Sequence, residues 1–353
     1  MSKVTLTALL RAMVDQNASD LHISSGAPPQ FRIHGKLLKA KTDNLTPALI
    51  QELLFEILSE DQKKIILSEQ ELDFSFGVKD VARFRGNLFF QRGSMGAVFR
   101  KIDMQVPNID DLGLPAVIKK VARQPNGLVL VTGPTGSGKS TTLASMIDYL
   151  NREENGHILT IEDPIEYVHQ HKGCIVNQRE VGSDSKSFHE ALKHALRQDP
   201  DYILVGELRD LETIEMALTA AETGHLVFAT LHTNSAIQSI ARVLNVFPPH
   251  QQPQIRQLLA TCLQAVITQQ LVPNSGKPGR SLAMEILIPN LGVRNLIRED
   301  KIHQVYGSMQ AGQGGTGMIT MNQSLADLVR RGLLTKQDAM TYSMLPDELQ
   351  KMV

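Results

Sequence analysis

The sequence predicts an α/β protein in which a small α+β unit precedes a larger unit built on a mostly parallel sheet. Over the first hundred residues, apolar side chains recur first at helical spacing and then in alternation, which indicates helices followed by strands. After Pro115, short apolar runs alternate with helical segments, as in a sheet covered by helices on both faces. Residues 104–115, MQVPNIDDLGLP, separate the two patterns and are predicted to be a linker.

The N-terminal unit, residues 1–103, is expected to begin with a helix over 6–14, followed by a strand over 31–34 that enters a turn. Thr46, with Pro47 at the first helical position, is a predicted N-cap, and Ser59 with Gln62 is a predicted capping box. Strands with a period of two are then expected at 74–78, 81–85 and 97–100, with Arg83, Arg85 and Arg100 on their polar faces.

The second unit, residues 116–353, is expected to alternate strands with helices. Its predicted strands are 128–132, 157–162, 174–178, 202–206 and 225–231, and its predicted helices are 139–151, 187–198, 210–222 and 235–246. From about residue 250 we expect mostly helix, with a mobile loop at 311–317, where glycine is abundant.

The composition is that of an ordinary globular protein. The formal net charge is −1, so electrostatic attraction is not expected to dominate contact with nucleic acid or anionic lipid. No apolar run approaches the length of a membrane-spanning helix, and the N-terminus lacks the apolar core of a signal peptide. We therefore expect a soluble cytoplasmic protein. Its two cysteines, Cys174 and Cys262, fit a reducing compartment and cannot supply a four-thiolate zinc site.

The strongest motif is a phosphate-binding loop between a predicted strand and a predicted helix. Residues 133–141, GPTGSGKST, match G-x-x-x-x-G-K-[ST] in full. Glycines let backbone N–H groups approach phosphates closely, and the following helix N-terminus adds its positive end. Lys139 is expected to neutralise the β- and γ-phosphates of ATP, and Ser140 to coordinate Mg²⁺. The predicted nucleotide-binding residues of this loop are Gly133, Pro134, Thr135, Gly136, Ser137, Gly138, Lys139, Ser140 and Thr141.

Hydrolysis also requires acidic side chains, and two predicted strands end in them. One runs into residues 162–166, EDPIE, and another into Gly206 and Glu207. The carboxyl ends of parallel strands lie at the edge that carries the P-loop, so one carboxylate can hold Mg²⁺, directly or through water, while another polarises the attacking water. Gly206 stands where P-loop enzymes usually have an aspartate, so Glu207 is expected to be the acid there. The alternative is that these acids only cap turns or helices.

Histidines occur at two further places of interest. His225 and His232 flank the apolar run 226–231, and His232 ends it at the P-loop edge, where it is either structural or contacts the γ-phosphate. His189 and His194 superficially resemble the pair of a zinc protease. They are five residues apart, about 140° around a helix, whereas that motif needs a separation of four. We reject a metal site there.

Taken together, these segments resemble the secretion ATPase superfamily of P-loop NTPases. The P-loop, the acidic segment ILTIEDPIEYVH, the altered Walker B strand DYILVGELRD and the histidine segment TGHLVFATLHT occur in that family's order. The similarity to the twitching-motility retraction ATPases of type IV pili covers essentially the whole chain. The opening SDLHISSGAPPQFRIHGKL resembles their PAS-like N-terminal domain, and residues 293–299, VRNLIRE, resemble their C-terminal retraction motif.

The resemblance implies a RecA-like ATPase domain with a helical C-terminal part, in a homohexamer that binds ATP and Mg²⁺ between a subunit's two domains. Carried over by position, Glu166 is the general base, and Glu207 is the Walker B glutamate that holds Mg²⁺ with Ser140. His232 contacts the γ-phosphate, and His225 is the other histidine of its segment, placed with the nucleotide-binding residues. The family's sensing arginines correspond first to Arg83 and Arg100, and then to Arg85.

The resemblance further implies a motor that retracts pili and is held at the inner membrane by the pilus platform protein. Extension motors of the family carry a further N-terminal domain and four zinc-binding cysteines, whereas the PAS-like segment here begins almost at Met1. In the retraction motif, Leu296 and Ile297 are expected to pack a helix and to leave the charged residues Arg294, Arg298 and Glu299 available for coupling. The alternatives are an accessory retraction paralogue, a RecA-like nucleic-acid translocase and a nucleotide-binding switch. No Trp, five Tyr and no basic cluster interleaved with aromatic residues disfavour the translocase.

Overall fold

The computed structural model describes residues 4–102, 105–276, 278–312 and 317–353. The chain divides into two compact units. Unit 1 contains Met1–Gln105 and Pro164–Val168, and unit 2 contains Val106–Asp163 and His169–Val353. Within the described ranges, no helix combines the length and the apolar character needed to cross a membrane.

Unit 1 is an antiparallel sheet with helices packed on one face. Its strands are β1 (Asp20–Ile23), β2 (Gln30–Ile33), β3 (Lys36–Lys39), β4 (Glu71–Val78), β5 (Ala82–Gln91) and β6 (Ser94–Ile102), and its helices are α1 (Leu6–Asp15), α2 (Pro47–Phe55) and α3 (Glu60–Glu69). The sheet order is β3-β2-β1-β6-β5-β4. The Thr46 N-cap and the Ser59–Gln62 capping box are confirmed, since both side chains accept the predicted backbone hydrogen bonds.

The strands of unit 1 alternate between a core face and an outer face. Phe84 and Phe99 are fully buried in the core shared with the helices. Their neighbours Arg83, Arg85 and Arg100 lie on the outer face, where Arg85 and Arg100 are exposed and Arg83 is half-buried. The predicted placement of these arginines on polar faces is confirmed, because residues of a strand alternate sides.

Unit 2 is built on a sheet of order β13-β12-β7-β11-β10-β8-β9. Its strands are β7 (Gly127–Thr132), β8 (His157–Glu162), β9 (Ile175–Glu180), β10 (Tyr202–Val205), β11 (Leu226–Leu231), β12 (Leu263–Pro273) and β13 (Arg280–Leu287). Its helices are α4 (Val117–Ala122), α5 (Lys139–Glu153), α6 (Phe188–Ala195), α7 (Leu211–Glu222), α8 (Ala236–Asn245), α9 (Gln252–Cys262), α10 (Leu291–Arg298), α11 (Val305–Ala311), α12 (Met321–Arg330), α13 (Lys336–Tyr342) and α14 (Pro346–Gln350), with a 3₁₀ turn at Ile302–Gln304.

Helices cover both faces of this sheet. All six residues of β7 are buried, and alternate residues belong to two cores. Leu128 and Leu130 pack in the core that contains α7 and α9, whereas Val129 and Val131 pack in the core that contains α5. A strand buried on both sides needs no polar alternation, which explains its continuous apolar run. The predicted fold class, α/β with a largely parallel sheet after an α+β unit, is confirmed.

The expectation of a mostly helical chain after residue 250 is wrong between α9 and α10. Two long strands, β12 and β13, occupy that stretch. β12 is parallel to β7 and β13 is antiparallel to β12. Val266 and Ile267 are both fully buried, so this strand also shows an apolar run without alternation, which periodicity alone cannot separate from a buried helix. Of the predicted loop at 311–317, Ala311 is the last residue of α11, and residues 313–316 lie outside the described residues.

The segment predicted as a linker contributes to the core of unit 2. In sequence, the first segment of unit 1 ends at Gln105 and unit 2 begins at Val106. Ile109 and Leu114, inside the predicted linker 104–115, are buried in the core on the α5 side of the sheet. These two residues anchor the start of unit 2.

Candidate active site

The P-loop connects β7 to α5 at the carboxyl edge of the unit 2 sheet. Gly133 has φ 139°, and a Cβ atom there would lie 2.3 Å from the backbone oxygen of Gln269 on β12. Gly138, directly before the helix, has φ 91°. Any other residue would be strained at both positions. Gly133 combines a positive φ with a close approach to the backbone of β12, and Gly138 has a positive φ directly before the first residue of α5. The loop is thereby held against β12 with its backbone turned toward the helix N-terminus.

Lys139 is held across this loop. Its side chain is 8% exposed. Its Nζ donates hydrogen bonds to the backbone oxygens of Gly133, at 2.8 Å, and Pro134, at 3.0 Å. Burial lowers the pKa of Lys139, and the negative charge of Glu207 opposes that effect. The loop thus fixes a cation where phosphate oxygens would replace the two carbonyls as its partners.

The P-loop also contains a buried hydroxyl donor for which the described residues offer no partner. Ser137 is 2% exposed, and its Oγ has no hydrogen-bond partner among the described residues. A buried hydroxyl without a partner is costly in an empty protein core, and a phosphate oxygen would satisfy it. Ser140 is exposed in the first turn of α5. The residues present therefore fit a nucleoside triphosphate with Mg²⁺.

Glu207 follows β10 at the same edge of the sheet. Arg209 Nη2 lies 2.8 Å from Glu207 Oε2, and His232 Nε2 lies 3.5 Å from Glu207 Oε1. Burial alone would raise the pKa of this carboxyl, but the hydrogen bond and charge of Arg209, together with His232, outweigh burial and lower the pKa. Glu207 is therefore an ionised carboxylate, the form that binds Mg²⁺.

Sheet register explains why these groups meet. Leu231 pairs with Thr132, and the N–H of Gly133 donates to the backbone oxygen of Leu231 at 3.3 Å. His232, the next residue, therefore begins beside the start of the P-loop. β10 lies on the other side of β11 and ends at Val205, which brings Glu207 to the same edge. The structure thus brings together the P-loop, Glu207 and His232, as the sequence predicted.

The glycine before Glu207 also has a structural reason. A Cβ at Gly206 would lie 3.2 Å from both the Cα of Glu162 and the backbone oxygen of Ile161 on β8. Such contacts are tighter than ordinary van der Waals packing, so an aspartate at this position would require the strands to shift. The close approach of β8 leaves Glu207 as the strand-end acid of β10.

The acidic segment after β8 divides between the two units. Glu162 is 8% exposed and accepts hydrogen bonds from Thr160 Oγ1 at 2.7 Å and Gln178 Nε2 at 3.2 Å. Glu166 is exposed and belongs to Pro164–Val168, the segment that groups with unit 1. Glu162 is thus held within the sheet of unit 2, and the assignment of Glu166 as general base stays a prediction.

His225 lies at the opposite edge of the sheet. It precedes β11, whose six residues span about 20 Å at the rise of a strand. Its Nδ1 lies 3.0 Å from the backbone oxygen of Ala220. Together with Arg123, Tyr202 and Thr223, it lines a separate cavity of about 260 Å³. The structure does not bring His225 to the P-loop of unit 2, because a strand places its two ends at opposite edges of the sheet.

The predicted sensing arginines have different partners on the outer face of unit 1. Arg83 Nη2 donates to Ser75 Oγ at 2.6 Å. Arg100 Nε donates to Asp20 Oδ1 at 2.8 Å. Arg85 lies directly opposite Arg100 in the register of β5 and β6. The three cationic side chains therefore share one surface.

Sequence reasoning missed two residues of the P-loop edge. Arg209, the partner of Glu207, follows it by two residues and could have been noticed as a nearby cation. Gln269 gives no such signal, because it lies in a strand that was predicted as helix. It is fully buried, and its Nε2 donates to Thr142 Oγ1 of α5 at 2.8 Å. Gln269 thus ties β12 to the helix that follows the P-loop.

The predicted retraction motif forms helix α10, with Val293 and Ile297 buried. The expectation that its charged residues remain available is wrong for Arg294. Its Nη1 donates to the backbone oxygens of Ala260 at 2.6 Å and Thr261 at 2.7 Å, at the C-terminal end of α9. Helix C-termini leave carbonyl oxygens without intrahelical partners, and a guanidinium satisfies them. Arg294 therefore joins α10 to α9.

The fold and this site together define a P-loop nucleoside triphosphatase of the α/β class. The family model for type II/IV secretion system proteins matches residues 2–340. The chain is 51% identical over 342 residues to the type IV pilus retractation ATPase PilT of Pseudomonas aeruginosa, covering 97% of this chain and 99% of that protein. It is 47% identical over 335 residues to the twitching motility protein of Neisseria gonorrhoeae, covering 95% and 89%. The chain belongs to the type II/IV secretion system protein family.

A solved structure supports the same relationship. The crystal structure of the pilus retraction motor PilT with bound ADP superimposes with a TM-score of 0.93, at 51% sequence identity and with 99% of each chain covered. The resemblance predicted from the sequence motifs is thereby confirmed. ADP in that structure is consistent with nucleotide use by the P-loop described here.

Proposed function

We propose that this chain is an ATP-hydrolysing motor that drives disassembly and retraction of type IV pili. The observation that carries the proposal is the conjunction of near-full-length similarity to PilT with a P-loop, Glu207 and His232 at one sheet edge. The similarity indicates the process, and the site supplies the groups that phosphoryl transfer needs. Retraction is preferred over nucleic-acid translocation because both relatives and the solved structure are named for pilus retraction or twitching motility.

In the proposed mechanism, the P-loop binds and orients the phosphates through its backbone N–H groups, Ser137 and Lys139. Ser140 and Glu207 are the residues that would hold Mg²⁺, directly or through water. When bound, Mg²⁺ supplies positive charge to the phosphate oxygens. Glu166 accepts a proton from the attacking water, and His232 contacts the γ-phosphate beside Glu207. Thr141 and the remaining loop residues complete the pocket.

The proposed mechanism also includes the predicted sensing arginines of unit 1. Arg83, Arg85 and Arg100 carry positive charge on one sheet face, and we infer that they stabilise charge on the phosphates in the catalytic state. In other phosphoryl-transfer enzymes, arginines that act in this way raise turnover about 10³–10⁵-fold. Because these arginines are proposed to act only in the catalytic state, their loss is expected to lower turnover more than nucleotide affinity.

We further propose the assembly and location of the motor. It is a homohexamer in the cytoplasm, associated with the inner membrane through the pilus platform protein. Residues 1–103 form its PAS-like domain and 116–353 form its RecA-like ATPase domain, and the segment 104–115 joins them while Ile109 and Leu114 pack in the core of unit 2. Blue-native electrophoresis and light scattering test the hexamer, and co-purification with the platform protein tests the partner.

The activity is tested with purified protein and its Lys139→Ala variant. Wild type should release phosphate from ATP in the presence of Mg²⁺, and the variant should not, because positioned charge is lost while the core is unchanged. Equal melting temperatures would show that the variant is folded. Single-stranded DNA should leave turnover unchanged. Stimulation by DNA with salt-dependent binding would favour the translocase, and normal turnover of the variant would refute the ATPase site.

A further inference from the structure

A row of charged side chains crosses the outer face of the unit 1 sheet. Strand register aligns Arg32 of β2, Asp20 of β1, Arg100 of β6 and Arg85 of β5 on neighbouring strands. Like charges directly opposite one another repel and destabilise a sheet. Asp20 is the only acidic residue in this row of four, and it stands between two of the three arginines.

Asp20 is buried although it is ionisable. It is 3% exposed. Its Oδ1 accepts the hydrogen bond from Arg100 Nε at 2.8 Å, its Oδ2 accepts one from Ser19 Oγ at 2.8 Å, and Arg32 Nε lies 3.7 Å from Oδ2. A buried carboxylate is stable only when such partners compensate it. Both oxygens are thus engaged, and the carboxylate is fixed in place.

The two arginines beside Asp20 differ in what they can still bind. Arg32 also donates from Nη1 to the backbone oxygen of Gly35 at 3.0 Å, and its side chain is 35% exposed. Arg100 contacts Asp20 through Nε, and its side chain is 69% exposed. An arginine held at Nε retains its two terminal nitrogens, which form the fork that matches phosphate oxygens. Arg100 is therefore both oriented and accessible.

We propose that Asp20 is a positioning residue that orients the Arg100 guanidinium for contact with the phosphates of the bound nucleotide. This inference rests on the proposed role of Arg100. The carboxylate acts in two ways: it restricts the Arg100 side chain to one orientation, and it offsets the repulsion between Arg100, Arg32 and Arg85. Asp20 itself does not contact nucleotide, and its effect on turnover passes through Arg100.

The test combines Asp20→Asn with Arg100→Ala in a double-mutant cycle. Asparagine keeps the shape of aspartate but removes the charge that pairs with the arginines. The matched control is Asp73→Asn, because Asp73 lies on the same sheet face but is exposed and bonded to Asn87 at 3.3 Å. Turnover, ATP KM, melting temperature and the affinity for ADP are measured for each variant. Crystal structures of nucleotide-free wild type and Asp20→Asn report the orientation of Arg100 independently of activity.

We expect Asp20→Asn to lower kcat roughly 10- to 100-fold, the effect of a small misplacement of a catalytic group, with little change in KM or ADP affinity. The Arg100 side chain should leave its single orientation in the variant. Asp20→Asn should have no further effect in the Arg100→Ala background, and Asp73→Asn should behave as wild type.

Three outcomes would overturn the inference and can be told apart. If Arg100→Ala is slow but Asp20→Asn has wild-type turnover with Arg100 unmoved, Asp20 has no positioning role and the proposed role of Arg100 stands. If Arg100→Ala itself turns over normally, that proposed role fails and the inference fails with it. A loss of activity from Asp20→Asn that persists in the Arg100→Ala background would show a structural effect only.

Discussion

Arg209 and Glu207 form an ion pair at 2.8 Å at the carboxyl end of β10, beside the P-loop. Arg209 holds the pKa of Glu207 below its ordinary value in spite of burial, which acts in the opposite direction. The Glu207 carboxylate is therefore kept ionised by a neighbour two residues away. In the proposed mechanism, this relationship links the local sequence GELR to the pH range in which Glu207 could hold Mg²⁺.

Replacement of Arg209 should move the acid limb of the activity profile to higher pH. In Arg209→Gln the hydrogen bond and the positive charge are lost, His232 alone then opposes burial, and the pKa of Glu207 rises. Glu207 would therefore become protonated at a higher pH than in the wild type. ATPase rates measured on both sides of pH 4.5, the ordinary value for this carboxyl, and up to about pH 8 detect the shift, with Arg197→Gln as an exposed control on a neighbouring segment. An unchanged acid limb would mean that Glu207 ionisation does not limit activity.

The two proposed glutamates should fail in different ways. Glu166→Gln should bind ATP but hydrolyse it about 10²–10⁴-fold more slowly, because an amide cannot accept the proton of water. Glu207→Gln should also lose activity, with a weaker dependence on Mg²⁺ as its distinguishing mark. Phosphate release across a Mg²⁺ titration separates the two. Wild-type turnover in both variants would remove these acids from the mechanism.

Much of the site could be predicted because its signals are local. The P-loop, the strand before it and the helix after it all lie within residues 127–153. The motif can therefore be recognised from consecutive residues alone. Asp20 could not be predicted, since it meets Arg100 across 80 positions of sequence and only the sheet register joins them. His225 shows the converse: it shares a segment with His232, but the strand between them places the two histidines at opposite edges. β12 was missed because a doubly buried strand lacks the alternation that identifies strands.

Mixed oligomers should reveal whether subunits share a catalytic site. Arg100→Ala removes a charge from unit 1, and Lys139→Ala removes one from unit 2. If a site combines an arginine from one subunit with a P-loop from another, mixtures of the two inactive variants contain some sites with both groups intact. ATPase rates across mixing ratios should then exceed those of either variant alone. Rates that only average the two variants would indicate that each site is complete within one subunit.

Acid should destabilise unit 2 through His169. Burial is the main cause that lowers the pKa of His169 from 6.5 to about 4, with Asp148 raising it and Lys172 lowering it. Between these values the unfolded chain binds a proton that the folded chain does not, so stability falls as the pH decreases from 6.5 to 4. The loss amounts to about 3 kcal/mol at about 1.4 kcal/mol per pKa unit. Urea unfolding of His169→Gln should show a flatter pH dependence in that window than wild type or His303→Gln, an exposed control.

Pilus number and twitching in a deletion strain test the retraction motor most directly. Deletion of the gene for this protein should leave the strain with excess surface pili and no twitching, because pilus assembly continues while pilus disassembly stops. Complementation with wild type should restore both properties, and complementation with Lys139→Ala should restore neither. A deletion strain without any surface pili would identify an extension motor, and normal piliation with normal twitching would identify an accessory paralogue; either result would contradict the proposed role as the retraction motor.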